Sequence, residues 1–307
     1  MTKSPARYCE LSETDFLERI EKARALMGPA CRLCPEKCGV DRRAGETGAC
    51  GADDQLRIAS ADLHFGEEPP ISGRRGSGTI FVTHCNLACV YCQNYPISQS
   101  GNGVETNPAA LAEIMLRLQE QGAHNINWVT PTHAVPHLLA GLRPARAGGL
   151  TIPIVYNSSG YDDVETLQLL EGIVDIYLTD MRYSDGGNAR RYSGASDYPE
   201  VNRRAVIEMH RQVGDLKLDE AGIARTGLLI RHLVLPGGIS GTEAIMRFLA
   251  ADLSPCTYVS LMSQYFPAYK ATGIPEIARR ITPEEYDEAK TIMERYGLTQ
   301  GWVQELE

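Results

Sequence analysis

The chain has 307 residues, 43% of them hydrophobic and 22% charged, which is usual for a globular protein with one large domain or a domain and an appendage. Its formal net charge of −9 argues against a nucleic-acid partner, because sequence-independent binding of DNA or RNA needs a basic face. No apolar run is long enough to cross a bilayer, and residues 1–10 lack the apolar core of a secretory signal, so we expect a cytoplasmic protein with no membrane partner.

The first predicted element is an amphipathic helix over residues 12–27, with Ser12 as its N-cap. From Gly28 to about Gly78 the chain is rich in Gly, Pro and Cys, a composition typical of loops with little core of their own. We therefore predict a Cys-rich N-terminal appendage, residues 1–77, and a core domain, residues 78–307.

Beyond the appendage, short β-rich runs alternate with helical patterns. The six predicted strands cover residues 79–83, 126–130, 152–156, 174–178, 227–235 and 258–262. The predicted helices cover residues 108–121 and 162–170, a stretch around 201–213, and stretches that begin at 132 or 133, at about 242 and at 282. Asn107 is the predicted N-cap of the helix at 108–121, and Thr282-Pro283-Glu284-Glu285 is a capping box with Pro at the first helical position. Six strand-then-helix units indicate a parallel sheet with right-handed crossovers, either an open, partial (β/α) barrel or a doubly wound sheet. Both architectures bind ligands at the carboxyl ends of the strands.

Three cysteines follow the first predicted strand with the spacing C-x3-C-x2-C: Cys85, Cys89 and Cys92. In a chain expected to be cytoplasmic, clustered cysteines indicate metal or redox chemistry rather than disulfides. Three thiolates on one loop can hold three irons of a [4Fe-4S] cluster and leave the fourth iron open to another ligand. A zinc knuckle or a ferredoxin-type cluster would need a fourth protein ligand; His84 is poorly placed for this role, and Cys256 is the isolated alternative.

Four further cysteines lie near the N-terminus with the spacing C-x2-C-x3-C-x11-C: Cys31, Cys34, Cys38 and Cys50. Four close thiols suit tetrahedral Zn²⁺ or a fully ligated Fe–S cluster, so we predict a second metal site there with a structural or electron-relay role. The alternative is a set of reduced thiols in a metal-free arm.

The first cysteine loop, residues 83–94, resembles the signature of the radical S-adenosylmethionine (SAM) superfamily, including an aromatic residue at Tyr91. Residues 64–73, 92–94 and 231–237 are similar to segments of pyruvate formate-lyase activating-enzyme-like proteins, in an uncharacterised cytoplasmic branch. The resemblance covers residues 62–307. It implies an α/β fold: a partial (β/α)6 TIM-like barrel of the radical SAM type, here with a Cys-rich N-terminal appendage.

The resemblance also implies an oxidoreductase chemistry. A [4Fe-4S] cluster on Cys85, Cys89 and Cys92 would bind SAM at its open iron and cleave it reductively to a 5′-deoxyadenosyl radical, which abstracts hydrogen from the substrate. Such a protein works under anaerobic conditions with a flavodoxin- or ferredoxin-type reductant.

The resemblance implies SAM-binding roles for individual residues at the strand ends of this chain. The end of the second strand reads Thr130-Pro131-Thr132-His133, where the family often has Gly-Gly-Glu for the SAM amino group, so hydroxyls and carbonyls would substitute here. Asn157 and Gly160, after the third strand, could instead only form a turn. Asp180 and Arg182, after the fourth strand, could instead only pair with each other. The residues predicted to bind SAM are Tyr91, Thr130, Thr132, His133, Asn157, Ser159, Asp180, Arg182, Arg231 and Gln264.

Three functions follow from these features. The leading hypothesis is an activating enzyme whose substrate is a glycine of a glycyl-radical enzyme. The second is a radical SAM enzyme that modifies a small molecule or RNA. The third is a non-catalytic iron–sulfur electron carrier, which would have no use for polar residues that bind SAM at successive strand ends.

Overall fold

A computed structural model describes residues 5–306, and within that range ten strands form an open, mostly parallel sheet. The strands are β1 (Arg57–His64), β2 (Ser77–Val82), β3 (Val104–Glu105), β4 (Ile126–Val129), β5 (Ile154–Ser158), β6 (Ile176–Asp180), β7 (Lys217–Leu218), β8 (Ala224–Leu233), β9 (Tyr258–Met262) and β10 (Gly301–Val303). Their order is β10-β9-β8-β6-β5-β4-β2-β1-β3, with β7 beside β8. The first and last strands of this order are not paired with each other, so the sheet does not close.

The predicted α/β class is confirmed, because the six predicted strands correspond to β2, β4, β5, β6, β8 and β9, and each pairs in parallel with the next. Strand β10 extends the parallel set, whereas β1, β3 and β7 are antiparallel to their neighbours.

Ten α-helices lie among the described residues, and most of those after β2 connect parallel strands. They are α1 (Glu13–Met27), α2 (Pro69–Ser72), α3 (Tyr95–Ser98), α4 (Pro108–Glu120), α5 (Val135–Ala147), α6 (Val164–Gln168), α7 (Gly186–Ser193), α8 (Tyr198–Val213), α9 (Thr242–Phe248) and α10 (Pro283–Arg295). The predicted caps are confirmed at three N-termini: Ser12 accepts from Asp15 N, Asn107 accepts from Ala110 N, and Thr282 forms a capping box. None of the helices in this part of the chain is long and apolar enough to span a membrane.

The two faces of the sheet have different coverings. Because side chains alternate along a strand, Val155, Ile176, Leu178 and Leu229 share the inner face, where Ile71 of α2 packs against them. The opposite face carries the larger core beneath the helices. The same alternation places the polar residues two positions further along these strands on the inner face, at the carboxyl ends of β5, β6 and β8.

The segment predicted as a loop-rich stretch, from residue 28 to about residue 78, contains strand β1 and helix α2. Strand β1 pairs with β2 in antiparallel fashion, with Leu63 opposite Gly78. The buried Arg42 donates from Nη1 to the His133 carbonyl at 2.8 Å and from Nε to the Asp53 carbonyl at 3.0 Å. Hydrogen bonds and strand pairing therefore tie the N-terminal segment to the sheet.

Candidate active site

A cavity of about 450 Å³ opens at the carboxyl ends of the parallel strands and runs along the inner face of the sheet. Its wall includes all three thiols of the C-x3-C-x2-C loop. It also includes most of the residues that the sequence predicts to bind SAM, namely Thr130, Asn157, Ser159, Asp180, Arg182, Arg231 and Gln264.

Backbone hydrogen bonds hold the loop of the three cysteines against α7 and the segment that follows β9. Ala88 N and Val90 N donate to the Ser193 and Tyr192 carbonyls, and Lys270 N donates to the Val90 carbonyl. His84, at the start of the loop, has a φ of 68°, in the left-handed region that non-glycine residues rarely adopt. The fold therefore determines the path of the loop through contacts with two distant segments.

Each thiol of the loop has a hydrogen-bond partner. The Sγ of Cys89 accepts from Ser193 Oγ at 2.9 Å and from Arg182 Nη1 at 3.3 Å. Leu87 N lies 3.4 Å from Cys85 Sγ. The Sγ of Cys92 lies 3.1 Å from Ser98 Oγ. Donors of this kind stabilise a thiolate and tune a metal that it binds.

The donor set fits an Fe–S cluster in chemistry and in location. All three cysteines are free thiols and all contact one cavity. Burial raises the pKa of the Cys85 thiol to about 12, with the neighbouring Cys89 as a second cause, so a metal must displace protons when it binds. Residues 5–306 contain no group of three or more His, Cys, Asp or Glu side chains already placed around a metal position. Ligation would thus require the thiols to rotate from the positions described.

A charged network lies beside the thiols. Asp180, at the end of β6, accepts from Arg182 Nε at 3.1 Å and from Arg231 Nε at 2.8 Å. The Nη2 of Arg231 also donates to Asn157 Oδ1 at 2.6 Å. The ion pair between Asp180 and Arg182 was an alternative interpretation of the sequence, and it is present. Arg182 makes this pair while donating to Cys89, so it links the network to the cysteine loop.

The protonation of Asp180 is set by two opposing effects. Burial alone would raise the pKa of this carboxyl, but the charges of Arg231 and Arg182 outweigh burial and hold the pKa below its usual value. Asp180 is therefore ionised at neutral pH and neutralises part of the charge on two guanidinium groups.

Thr130 and Ser159 lie in the cavity wall just beyond the ends of β4 and β5. Thr130 follows β4 with a φ of 59°, which is strained for a β-branched residue, and its N–H donates to the Asn157 carbonyl. Ser159 follows β5 and is buried. Both directly follow parallel strands, where ligands bind in α/β folds.

Three predicted site residues lie elsewhere. Thr132 donates to Asp162 Oδ1 at 2.7 Å, and the Nε2 of His133 lies 2.8 Å from the Thr83 carbonyl, so both are buried behind the wall. Burial lowers the pKa of His133 to about 3. Tyr91 is buried, bonds the hydroxyl of Tyr183, and contacts a smaller neighbouring cavity rather than the main one.

The far end of the cavity has acidic residues that the sequence analysis did not assign to the site. Glu67 and Glu68 lie between β1 and α2 and contribute to the wall. Glu67 Oε2 is 3.7 Å from Arg231 Nη1 and its Oε1 is 3.4 Å from His64 Nδ1. The signal available in the sequence was two adjacent acidic residues before a Pro-Pro pair within residues 64–73.

The N-terminal cysteines also converge. A Cβ atom placed on Gly48 would lie 3.1 Å from Cys38 Sγ and 3.5 Å from Cys50 Sγ, so these two sulfurs flank the same glycine. Burial is the main cause that raises the pKa of Cys34, and the neighbouring Cys50 and Cys31 raise it further. The four thiols are thus close together, although, as in the first loop, the described side chains do not yet enclose a metal position.

Comparison with known proteins gives relatives without an assigned activity. No family model matches the chain. The chain is 34% identical over 278 residues to the uncharacterized protein MJ0674 of Methanocaldococcus jannaschii, which covers 87% of this chain and 75% of that protein. It is 22% identical over 302 residues to the uncharacterized protein MJ0808 of the same organism, covering 90% and 83% of the two chains. From the extent and identity of the first match, the chain belongs to the same family as MJ0674.

Proposed function

We propose that this chain is a radical SAM oxidoreductase. The observation that supports the proposal most directly is the convergence of the three thiols of a C-x3-C-x2-C loop and the Asp180–Arg231 network on one cavity at the ends of parallel strands. When bound, a [4Fe-4S] cluster on Cys85, Cys89 and Cys92 would supply reductive cleavage of SAM and a 5′-deoxyadenosyl radical.

The finer architecture follows from the same proposal. Strands β2, β4, β5, β6, β8 and β9 pair in parallel and in chain order, and their inner face holds the cavity. We interpret this arrangement as a partial (β/α)6 TIM-like barrel of the radical SAM type, with residues 1–77 as an N-terminal appendage to the core of residues 78–307. An incomplete barrel leaves one side open to a substrate.

Some residues of the chain would supply charge at the cofactor site, and others would hold these charged side chains in position. Ser193 and Arg182 donate to Cys89 Sγ and so stabilise its anionic form. Arg182 and Arg231 both contribute guanidinium groups to the cavity wall, and the positive charge of a guanidinium suits the carboxylate of SAM. Asn157 and Asp180 hold Arg231 in place. The groups that meet the cofactor are thereby oriented before it binds.

SAM binding is assigned to the residues around the cavity and to one neighbour. Tyr91 would pack by the adenine from the smaller cavity, while Thr130 and Ser159 offer hydroxyl and backbone groups at the ends of β4 and β5. Gln264 is exposed and contributes to the cavity wall, where it would contact the ligand. Thr132 and His133 would not contact SAM directly. They would hold neighbouring groups in position through their hydrogen bonds to Asp162 and to the Thr83 carbonyl.

The assay for this proposal is direct. Protein purified without oxygen should be brown and, with dithionite and SAM, should yield 5′-deoxyadenosine and methionine in equal amounts. A non-catalytic electron carrier would not cleave SAM. If iron-loaded protein forms no 5′-deoxyadenosine, the radical SAM proposal is wrong and the electron-carrier function is favoured. Reductant from a flavodoxin or ferredoxin should replace dithionite.

The leading substrate is a glycine of a glycyl-radical enzyme, which would make this chain an activating enzyme. Aromatic rings near the exit of β9 support a macromolecular partner: the exposed Tyr95 stacks on the half-buried Tyr269 at 4.7 Å between centroids, and Phe266 is exposed. With α-deuterated glycine in such an enzyme, label should enter 5′-deoxyadenosine and a glycyl EPR signal should appear. Label transferred only from a small molecule or RNA would favour the second function.

A second metal is proposed at Cys31, Cys34, Cys38 and Cys50, with a structural or relay role. We expect the variant in which Cys85, Cys89 and Cys92 are all alanine to retain zinc or iron, because the N-terminal thiols lie in a separate segment. Elemental analysis of that variant measures this. Retained metal should be lost when Cys34 and Cys50 are also replaced, whereas a variant that holds no metal before this change contradicts the second site.

A further inference from the structure

The wall of the cavity contains a buried carboxyl with one oxygen that lacks a hydrogen-bond partner. Glu68 is only 2% exposed, and among the described residues no side chain or backbone group bonds its Oε2. Its carboxyl nevertheless forms part of the cavity wall. A buried acceptor without a partner destabilises the folded state, so its presence in a cavity wall points to a role in binding a hydrogen-bond donor.

A polar group without a well-aligned partner lies beside this carboxyl. The Ser260 hydroxyl is close enough to Glu68 to lower its pKa, yet within residues 5–306 the Ser260 Oγ has no partner at full hydrogen-bond geometry. Both side-chain atoms of Asn127 are also buried without partners in that range. Ser260 and Asn127 are each two positions before a residue of the cavity wall, Met262 and Val129 respectively, so alternation places them on the inner face. Strands β4 and β9 thus add unpartnered polar groups to the inner face of the sheet, along which the cavity runs.

The charges in the wall are unequal. Three carboxyls, on Glu67, Glu68 and Asp180, face two guanidiniums, on Arg182 and Arg231. Asp180 uses both guanidiniums, and Glu67 is close to Arg231 and to the imidazole of His64. Glu68 is also close enough to feel the charge of Arg231, so this one guanidinium is shared among three carboxyls and Glu68 has no cation of its own. Burial raises its pKa, and the nearby Arg231 only partly offsets this effect.

We propose that the Glu68 end of the cavity is a substrate subsite that binds an ammonium or guanidinium group. A cation that donates hydrogen bonds would satisfy Glu68 Oε2, with the neighbouring Ser260 Oγ as a further acceptor, and would balance the excess of carboxyls. The thiols line the same cavity, so a substrate anchored here reaches toward them. The subsite's role in binding substrate rests on the proposed function, but binding of a cation to Glu68 does not.

The test measures cation binding without SAM or reductant. In the full-length protein purified without oxygen, n-butylammonium and n-butylguanidinium are added at millimolar concentration against sodium chloride of equal ionic strength. We expect each to raise the thermal unfolding midpoint by about 2 °C at saturation, while 1-butanol and butyramide do not. In Glu68→Gln the shift should fall to that of the neutral compounds.

The control is Glu113→Gln, which makes the same change at an exposed position of α4 and should respond as the wild type does. Each variant is compared with its own unfolding midpoint, so a change in its basal stability does not affect the result. Equal shifts with neutral compounds, a full shift in Glu68→Gln, or no shift with either cation would each overturn the proposal.

A third cationic compound distinguishes a lysine side chain of a peptide from a small amine as the source of the ammonium group. N-acetyl-lysine N-methylamide carries its ammonium on a peptide unit, as a protein substrate would, and a larger shift than with n-butylammonium indicates a peptide; an equal or smaller shift indicates a small amine. Failure of SAM cleavage with retained cation binding would refute the proposed function alone. Failure of cation binding with retained SAM cleavage would refute this subsite alone.

Discussion

Replacing Cys85, Cys89 and Cys92 together by alanine is expected to abolish formation of 5′-deoxyadenosine from SAM. The three thiols are the soft ligands around the cavity, and alanine removes all of them at once. Enzymes accelerate reactions by about 10⁶-fold or more, so loss of the cofactor should return the rate to that of the solution without protein. Single replacements should lose nearly as much, since groups that act as a unit are not additive. The measurement is 5′-deoxyadenosine by liquid chromatography after anaerobic incubation with dithionite and SAM.

Two controls separate loss of the cofactor from loss of the fold. Cys256→Ala changes an exposed cysteine far from the loop in sequence and should keep full activity. The far-ultraviolet circular dichroism of the triple variant should match that of the wild type, because the loop contributes little regular structure. Cys85→Ser provides a second variant if the triple variant aggregates. Turnover that persists in well-folded Cys85→Ser and triple variants contradicts the proposed function.

The strands and helices of the core could be predicted because their signals are local. Strand β9 was predicted with its observed ends, and the α10 N-terminus followed from Thr282, Pro283 and Glu285. Strand β1 could not be predicted in this way, since only Ile58 of its eight residues is buried and the rest alternate between partly and fully exposed. It forms because it pairs with β2, a contact that local periodicity does not report.

The candidate site was predictable where it lies at the carboxyl ends of strands. Asn157, Asp180 and Arg231 are examples, since strand ends in a parallel sheet meet at one edge. Thr132 and His133 were placed by the same rule, but a short 3₁₀ turn directs them into the core. Glu67 and Glu68 could not be found by that rule. They reach the cavity from the opposite end of the sheet, because β1 runs antiparallel and α2 packs inside.

Asp180→Ala is expected to destabilise the protein by about 3–5 kcal/mol, because it leaves two largely buried guanidiniums without their carboxylate. Asp180→Asn should cost less, since the amide oxygen still accepts a hydrogen bond although its charge is lost. Urea unfolding followed by circular dichroism gives both values. Asp287→Ala is the matched control: Asp287 pairs with Lys290 but is 67% exposed, so we expect a change within about 1 kcal/mol. Equal effects of the two Asp→Ala substitutions would mean that solvent screens Asp180 as well, and that Arg182 and Arg231 do not depend on it for their positions beside the thiols.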